Sequence, residues 1–253
     1  MKIKKFLLLL LMVTPLYAQG ITFPVPMPAA KDAYVVENNA FMVCYAGNYG
    51  IPIWEMHRLK PEMFMGGALI TGEWKADSRV KSYRITAKDI AGLKLEPVQL
   101  FPKSHAVNDV EAQNASFYTS NLLFMNKQLK DSIWERITES FEELAKEYDT
   151  VYVYAGPIFD KDTLKIKYTM NNRIATPSYF YRIVLYNEDG KPRYKCYRFP
   201  NRVPTDYERT CSLDEYAYNI YQLEADTDID FFDRETDGNF RQDKVKFLDK
   251  RSK

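Results

Sequence analysis

The sequence feature that most restricts the fold is an amphipathic helical pattern over residues 127–147. Its apolar residues recur every three or four positions, which places them on one face of a helix. This stripe consists of Leu129, Ile133, Ile137, Phe141 and Leu144, flanked by Trp134 and Tyr148. The glutamates Glu135, Glu139, Glu142 and Glu143 lie off the stripe. The pattern therefore predicts a helix that packs against the core by its apolar face.

Strand signals lie on both sides of this helix. Tyr34–Ala46 and Ile51–Leu59 are rich in β-formers and flank the turn cluster 47–50, which predicts a hairpin. After the helix, Val151–Ala155 predicts a strand that Gly156-Pro157 ends. Two further strands, 179–186 and 194–199, flank a turn at residues 187–190. The predicted class is α+β, with a central antiparallel sheet and packed helices.

The ends of the chain predict export. Residues 1–18 have the lysines, short apolar run and terminal Ala18 of a secretory signal peptide. We expect an extended leader over 19–33, one domain over 34–233 and a charged tail over 234–253. The exported protein is expected to be periplasmic or extracellular, without a membrane segment, and its oligomeric state stays open.

The charge balance argues mildly against nucleic-acid binding. Without the three signal-peptide lysines, 32 Lys and Arg face 34 Asp and Glu, which gives a net charge of −2. Proteins that bind nucleic acid mainly by counterion release are usually basic. A nucleic-acid role would therefore need a local basic patch or a metal.

The three cysteines leave one question open. Cys44 is expected to be a small buried strand residue. Cys196 and Cys211 lie 15 positions apart, and export makes a disulfide between them as plausible as two free thiols.

Seven segments, taken in order, resemble the DNA/RNA non-specific endonucleases, a ββα-metal nuclease family that includes endonuclease G. The match covers about residues 35–233. The matching segments are 52–54, 74–77, 117–121 with Trp134, 152–159, 175–183, 199–201 and 229–232. The resemblance implies a ββα-metal nuclease-like fold and metal-dependent hydrolysis of DNA or RNA.

The catalytic residues of that family carry over poorly. Its D-R-G-H motif, which supplies a histidine general base, corresponds here to Pro102, Lys103, Ser104 and His105. The resemblance implies His105 as the catalytic base and Asn121, with Lys103, as substrate contacts. His57, the second histidine of the chain, is expected to be an ordinary surface or rim residue.

The expected metal ligands are replaced on the helix. Lys130 stands where the family has its metal-binding asparagine, and Thr138 stands where it has a glutamate. At 100° per residue, Lys130 falls on the apolar stripe. There it either stands in for the cation beside substrate or extends its tip to water. Asp131 would be a metal ligand only if the helix register slipped, because ideal geometry places it towards solvent.

Two classes of function follow. The first is an exported nuclease that uses Mg²⁺ and His105, with a rearranged metal shell. The second, which the replaced ligands favour, is a pseudonuclease without a metal that serves as a binding or structural module. An unrelated α+β domain is a third reading.

Overall fold

The computed structural model describes residues 26, 33–81, 84–159, 165–168 and 173–231. Within these ranges the strands are β1 Ala33–Glu37, β2 Phe41–Ala46, β3 Ile51–Leu59, β4 Glu96–Gln99, β5 Leu122–Met125, β6 Val151–Ile158, β7 Lys165–Tyr168, β8 Arg173–Thr176, β9 Tyr179–Glu188 and β10 Lys191–Pro200. The helices are α1 Pro61–Phe64, α2 Ala87–Ala91, α3 Val110–Ser116, α4 Lys127–Leu129, α5 Glu135–Tyr148, α6 Asp206–Thr210 and α7 Ile220–Thr227. Short 3-10 turns cover Lys103–Ala106, Thr119–Asn121 and Leu213–Tyr216.

The predicted central antiparallel sheet is confirmed. Six strands pair in the order β1-β2-β3-β6-β9-β10, and each neighbouring pair is antiparallel. The predicted hairpin between β9 and β10 turns at Asp189 and Gly190, both of which have positive φ. Asp-Gly is favoured at such a turn because both central residues must adopt left-handed backbone angles.

Each face of the sheet is covered by a different layer. On one face, Val153, Val184 and Phe199 pack with Ile137 and Phe141 of α5. On the other, the buried residues of the sheet pack with α7 and with Ile229 and Phe231, and they include Trp54, Met56, Tyr154, Tyr181 and Ile183. Trp134 is 4% exposed, which confirms that the predicted helix turns its tryptophan inward.

The end predicted for the strand after α5 was wrong. β6 continues through Gly156 and Pro157 to Ile158 because these residues pair with β9. Pro157 is tolerated because β3 pairs with β6 only as far as Ala155, so the proline lies beyond that ladder. Gly156 is needed because a Cβ there would lie 2.4 Å from the Tyr181 hydroxyl.

The cysteines are all free thiols, so the disulfide considered between Cys196 and Cys211 is not formed. Cys196 belongs to the core on the α7 side of the sheet and Cys211 to the core on the α5 side. Cys44 is fully buried in β2, as expected.

The remaining predictions about the ends of the chain lie outside the described residues. These are the signal peptide, nearly all of the leader and the charged tail. Among the described helices, none combines the length and apolar composition that crossing a bilayer requires.

Candidate active site: a buried histidine pair

The helix predicted over 127–147 is continuous but irregular. A π-helical turn, Lys130–Trp134, joins α4 to α5. A π-turn contains one extra residue, so it changes the rotational phase between the two ends of the helix. Despite this local shift, the Asp131 side chain remains 47% exposed and pairs with Lys127. Lys130 is half-buried, which is compatible with a lysine on the apolar stripe whose tip reaches water.

The segment that carries His105 is held in place by Asn121. The Asn121 amide accepts a hydrogen bond from Phe101 N at 2.9 Å, and donates to Phe101 O at 2.9 Å and to Ser116 O at 3.0 Å. These contacts position the 3-10 turn that follows Pro102. Asn121 is fully buried, and the contacts it makes here are structural; its role as a substrate contact stays a prediction.

The Asp77 carboxylate links two of the segments that resemble the nuclease family. Asp77 is fully buried and accepts hydrogen bonds from the Ser120 hydroxyl at 2.6 Å and from the Arg79 guanidinium. Residues 74–77 are thereby joined to residues 117–121, directly before the helix. Asp77 acts as an anchor within this part of the site.

His105 forms a pair with the other histidine of the chain. His57 Nε2 lies 3.0 Å from His105 Nδ1, and His57 Nδ1 lies 2.7 Å from Glu55 Oε1. His57 is only 2% exposed, so its expected place on the surface was wrong. Period-2 alternation turns Glu55 and His57 to the α5 side of the sheet, where the helix and the His105 segment cover them.

The chain of polar groups ends at the helix. His105 Nε2 lies 3.3 Å from Glu142 Oε1, but the contact falls outside regular hydrogen-bond geometry. This contact places His105 close to the helix. Glu142, which lies off the apolar stripe, nonetheless faces inward, and its side chain is 25% exposed.

Burial controls the protonation of this chain. It raises the pKa of the Glu55 carboxyl well above its usual range and lowers the pKa of His105 to about 4. It also lowers the pKa of His57 to about 3, with the nearby Arg182 cation adding to the effect. His105 is therefore neutral near pH 7, and burial is the main cause.

Because both histidines are neutral near pH 7, each ring carries one proton, and one nitrogen of the His57 Nε2–His105 Nδ1 contact donates to the other. A general base must present an unprotonated nitrogen to the proton that it removes. Both ring nitrogens of His105 face protein groups, His57 and Glu142, and the residue is fully buried.

Arg182 is a buried cation beside this chain. It is fully buried on β9, where its Nη1 donates to the Thr138 hydroxyl and to Trp134 O at 3.3 Å. Its guanidinium lies 4.5 Å from the Trp134 ring centre and 4.9 Å from that of Phe141. Thr138 stands at the position where the nuclease family has a glutamate. Its hydroxyl is therefore already hydrogen-bonded to a buried cation.

Lys103 is committed to a neighbouring loop. Its ammonium donates to Ile70 O at 3.0 Å and lies 5.7 Å from the centre of the Phe117 ring. Lys103 begins the 3-10 turn that carries His105 and Asn121 binds the residue before Pro102, whereas Asp131 lies on the exposed side of the helix. The roles suggested for His105, Lys103, Asn121, Lys130 and Asp131 in binding or catalysis stay predictions.

The residues present do not fit a bound Mg²⁺. This ion requires oxygen ligands at close to 2 Å. Lys130 supplies a positive charge, and Thr138 is hydrogen-bonded to Arg182. Within the ranges that the structure describes, no group of three His, Cys, Asp or Glu side chains converges to hold a metal ion.

Sequence comparisons give a consistent family signal. The family described as DNA/RNA non-specific endonuclease matches residues 19–237. Mitochondrial endonuclease G of Homo sapiens is 24% identical over 202 residues, which cover 76% of this chain and 67% of the human protein. The protein of the same name from Bos taurus is 25% identical over 195 residues, covering 73% of this chain and 64% of the relative, which is less than two thirds. Nuclease C1 of Cunninghamella echinulata var. echinulata is 23% identical over 215 residues, covering 79% and 82%.

A structural comparison supports the same fold. The chain is similar to one in a crystal structure of the EndoG/EndoGI complex, with a TM-score of 0.71 and 19% identity. The likeness covers 82% of this chain and 88% of that one.

Proposed function

Because the chain belongs to the DNA/RNA non-specific endonuclease family, as its motifs predicted, we propose that it is an exported nuclease-fold protein with impaired or lost catalysis. In this proposal it acts as a pseudonuclease, a binding or structural module whose ligand is DNA or RNA. Export rests on the signal-peptide pattern of residues 1–18. Nucleic acid as the ligand rests on the family.

The observation that carries the proposal is the commitment of the site to internal partners. His105 is fully buried, and its two ring nitrogens face His57 and Glu142. To activate a water molecule, His105 would have to give up its contact with His57 or Glu142 and turn a ring nitrogen towards solvent. Catalytic residues in an unliganded site are often poorly aligned, but here the nitrogens are enclosed by protein.

The helix supports the same conclusion electrostatically. Lys130 would repel a divalent cation at the position where the family has an asparagine oxygen. Thr138 offers a neutral hydroxyl that already accepts from Arg182. Two positive side chains therefore border the region in which a metal would have to bind.

The alternative is a Mg²⁺-dependent nuclease with a rearranged metal shell. It would require a ligand such as Asp131 to leave Lys127 and turn towards His105. The exposure of Asp131 makes the first step inexpensive, because surface ion pairs contribute only about 0–1 kcal/mol. The geometry of the helix does not support the second step.

A plasmid-nicking assay on residues 19–253 tests the proposal. We expect no Mg²⁺-dependent cleavage by the wild-type protein. Lys130→Asn with Thr138→Glu should raise Mg²⁺ binding in calorimetry, with weak nicking at most because the new carboxylate lies beside Arg182. Asp131→Asn is the matched control and should leave metal binding unchanged. Strong wild-type nicking that EDTA and His105→Ala both abolish would overturn the proposal, and its loss in Asp131→Asn would identify the metal ligand.

A further inference from the structure

We propose that residues 60–70 form an inhibitory strap, which covers the histidine pair and engages the Lys103 ammonium, which a polyanion would otherwise contact. The polyanion part rests on the proposed function, whereas the closure rests only on contacts within the chain. The strap comprises α1 and the irregular loop that follows it.

The strap is clasped mainly through its backbone. Asn108 Nδ2 donates to Glu62 O at 2.7 Å and to Met65 O at 3.0 Å, and Val107 N donates to Met63 O at 2.8 Å. All three strap atoms are carbonyl oxygens. The donors follow His105 directly in the chain, so the hydrogen bonds that hold the strap come from the segment that carries the histidine.

A second set of contacts holds the far end of the strap. Gln113 Nε2 donates to Ala68 O at 2.9 Å, while Gln113 Oε1 accepts from Ile70 N at 2.8 Å. Lys103 donates to Ile70 O at 3.0 Å. The strap is therefore attached by these polar contacts to residues 103–113 and by the packing of Met63 and Phe64 against the core. Two of its other large side chains, Met65 and Leu69, are already 52% and 53% exposed, so lifting the strap costs less burial there than at a core residue.

The strap borders the solvent route to the histidines. Phe64 packs beside His105, with 6.2 Å between the ring centres, and Lys146 lies 5.9 Å from the centre of the Phe64 ring. Next to this contact is a pocket of about 610 Å³ that is already partly open to solvent, lined by both His57 and His105 and, from the strap, by Glu62 and Met63. Lifting the strap would widen this pocket and uncover the two histidines, which are buried at its base.

The strap also engages a cation outside it. The Lys103 ammonium is bound to Ile70 O. Release of the strap would free this ammonium group beside the widened pocket. A polyanion gains affinity from such a group through counterion release.

Gly67 provides the variant that opens the strap. A Cβ at this position would lie 2.3 Å from Val107 O, so Gly67→Ala cannot retain the present contact. Gly92→Ala is the matched control, because the nearest atom to its Cβ would be 3.8 Å away. Asn108→Ala removes two of the hydrogen bonds that hold the strap without adding a clash, and Asn114→Ala, whose side chain donates to Val110 O within α3, is its control.

The primary measurement is the rate at which diethyl pyrocarbonate modifies each histidine, located by mass spectrometry. The chain has only two histidines, so each site is assigned without ambiguity. Both should react slowly in the wild-type protein, and His105 should react about tenfold faster in Asn108→Ala, as expected for the loss of two hydrogen bonds. Gly67→Ala should show an equal or larger increase, and neither control should change.

Hydrogen exchange and oligonucleotide binding separate the parts of the proposal. Faster exchange at residues 60–70 with an unchanged His105 modification rate would overturn closure by the strap. So would rapid modification of His105 in the wild-type protein. For the polyanion part, the strap variants should bind a fluorescein-labelled single-stranded oligonucleotide more tightly at low salt. Faster modification without tighter binding would confirm closure and contradict the nucleic-acid role.

Discussion

The two faces of the central sheet differ in what they bury. The face that packs against α7 buries Trp54, Tyr181, Ile183 and their neighbours. The face that packs against α5 buries Glu55, His57 and Arg182 among its apolar residues. Adjacent positions of one strand, such as Arg182 and Ile183, therefore have opposite chemistry. Both faces bury apolar side chains, but the α5 face also retains Glu55, His57 and Arg182, at a cost to stability.

That cost is visible in atoms that lack partners. Glu55 Oε2 and the Arg182 Nε and Nη2 atoms make no hydrogen bond among the described residues. A buried polar atom without a partner typically costs about 1–3 kcal/mol. Three such atoms lie close to the histidine pair, where the fold has kept ionisable groups instead of apolar ones.

The largest effect should come from the apolar face. Trp54→Ala removes a fully buried indole and should lower the free energy of unfolding by about 3–5 kcal/mol. Urea unfolding followed by circular dichroism measures this loss. Trp74→Ala, at a partly buried site, is the control and should cost less. Equal losses would mean that the apolar face does not dominate stability.

A pH effect of intermediate size should come from the polar face. His57 and His105 have folded pKa values of about 3 and 4, below the unfolded value of 6.5. The unfolded chain therefore binds more protons, and stability should fall as pH drops from 6.5 towards 4. Between pH 7 and 5, the protonation of each histidine should lower the free energy of unfolding by about 2 kcal/mol.

Glu55 opposes that loss, because its pKa is raised in the folded state. The folded protein holds a proton on Glu55 that the unfolded chain releases above its ordinary pKa, so this group adds stability as pH falls. Glu55→Gln should consequently steepen the acid-induced loss, measured as urea midpoints at pH 7, 6 and 5. Glu139→Gln changes an exposed carboxylate on α5 and should leave the slope unchanged. The same slope in both variants would contradict the protonation of Glu55.

The smallest effect should come from replacing the buried cation. Arg182→Met keeps most of the apolar contact with Trp134 and Phe141 and removes two unpartnered nitrogens. We expect a change within about 1 kcal/mol of wild type in either direction, because buried charges are often replaceable by apolar groups. Ile183→Ala, one position along β9, should cost about 2–5 kcal/mol. A larger loss from Arg182→Met than from Ile183→Ala would remove the contrast between the two faces.

The sequence predicted the sheet, the main helix and the β9–β10 turn because each has a local signature. It did not predict the burial of His57. Trp54 and Met56 alternate with Glu55 and His57, which is the pattern of a strand with one face in solvent. That polar face is buried because α5 and the His105 segment pack onto it. No local sequence pattern indicates this packing, so the sequence could not show that His57 is buried.

Neither the π-turn nor the inward position of Glu142 could be predicted from the sequence. A helical wheel assumes the same rotation at every residue, so it cannot represent a turn with an extra residue at Lys130–Trp134. The direction of Glu142 depends on the distant His105, which is 37 positions earlier in the chain. Asn121, by contrast, was identified from its motif, although the contacts it makes are structural.

The strand order also has a consequence for how the chain folds. Glu55 and Ala155, which are paired across β3 and β6, lie 100 positions apart, whereas β6, β9 and β10 and the preceding helix are much closer in the chain. Closing a longer loop costs more entropy, so contacts between nearby segments form first. The strand that carries Glu55 and His57 therefore joins a partly formed carboxy-terminal half, and its polar groups lose water only at that late step. The histidine pair is thus a product of the final docking, and a slow folding phase should report on its formation.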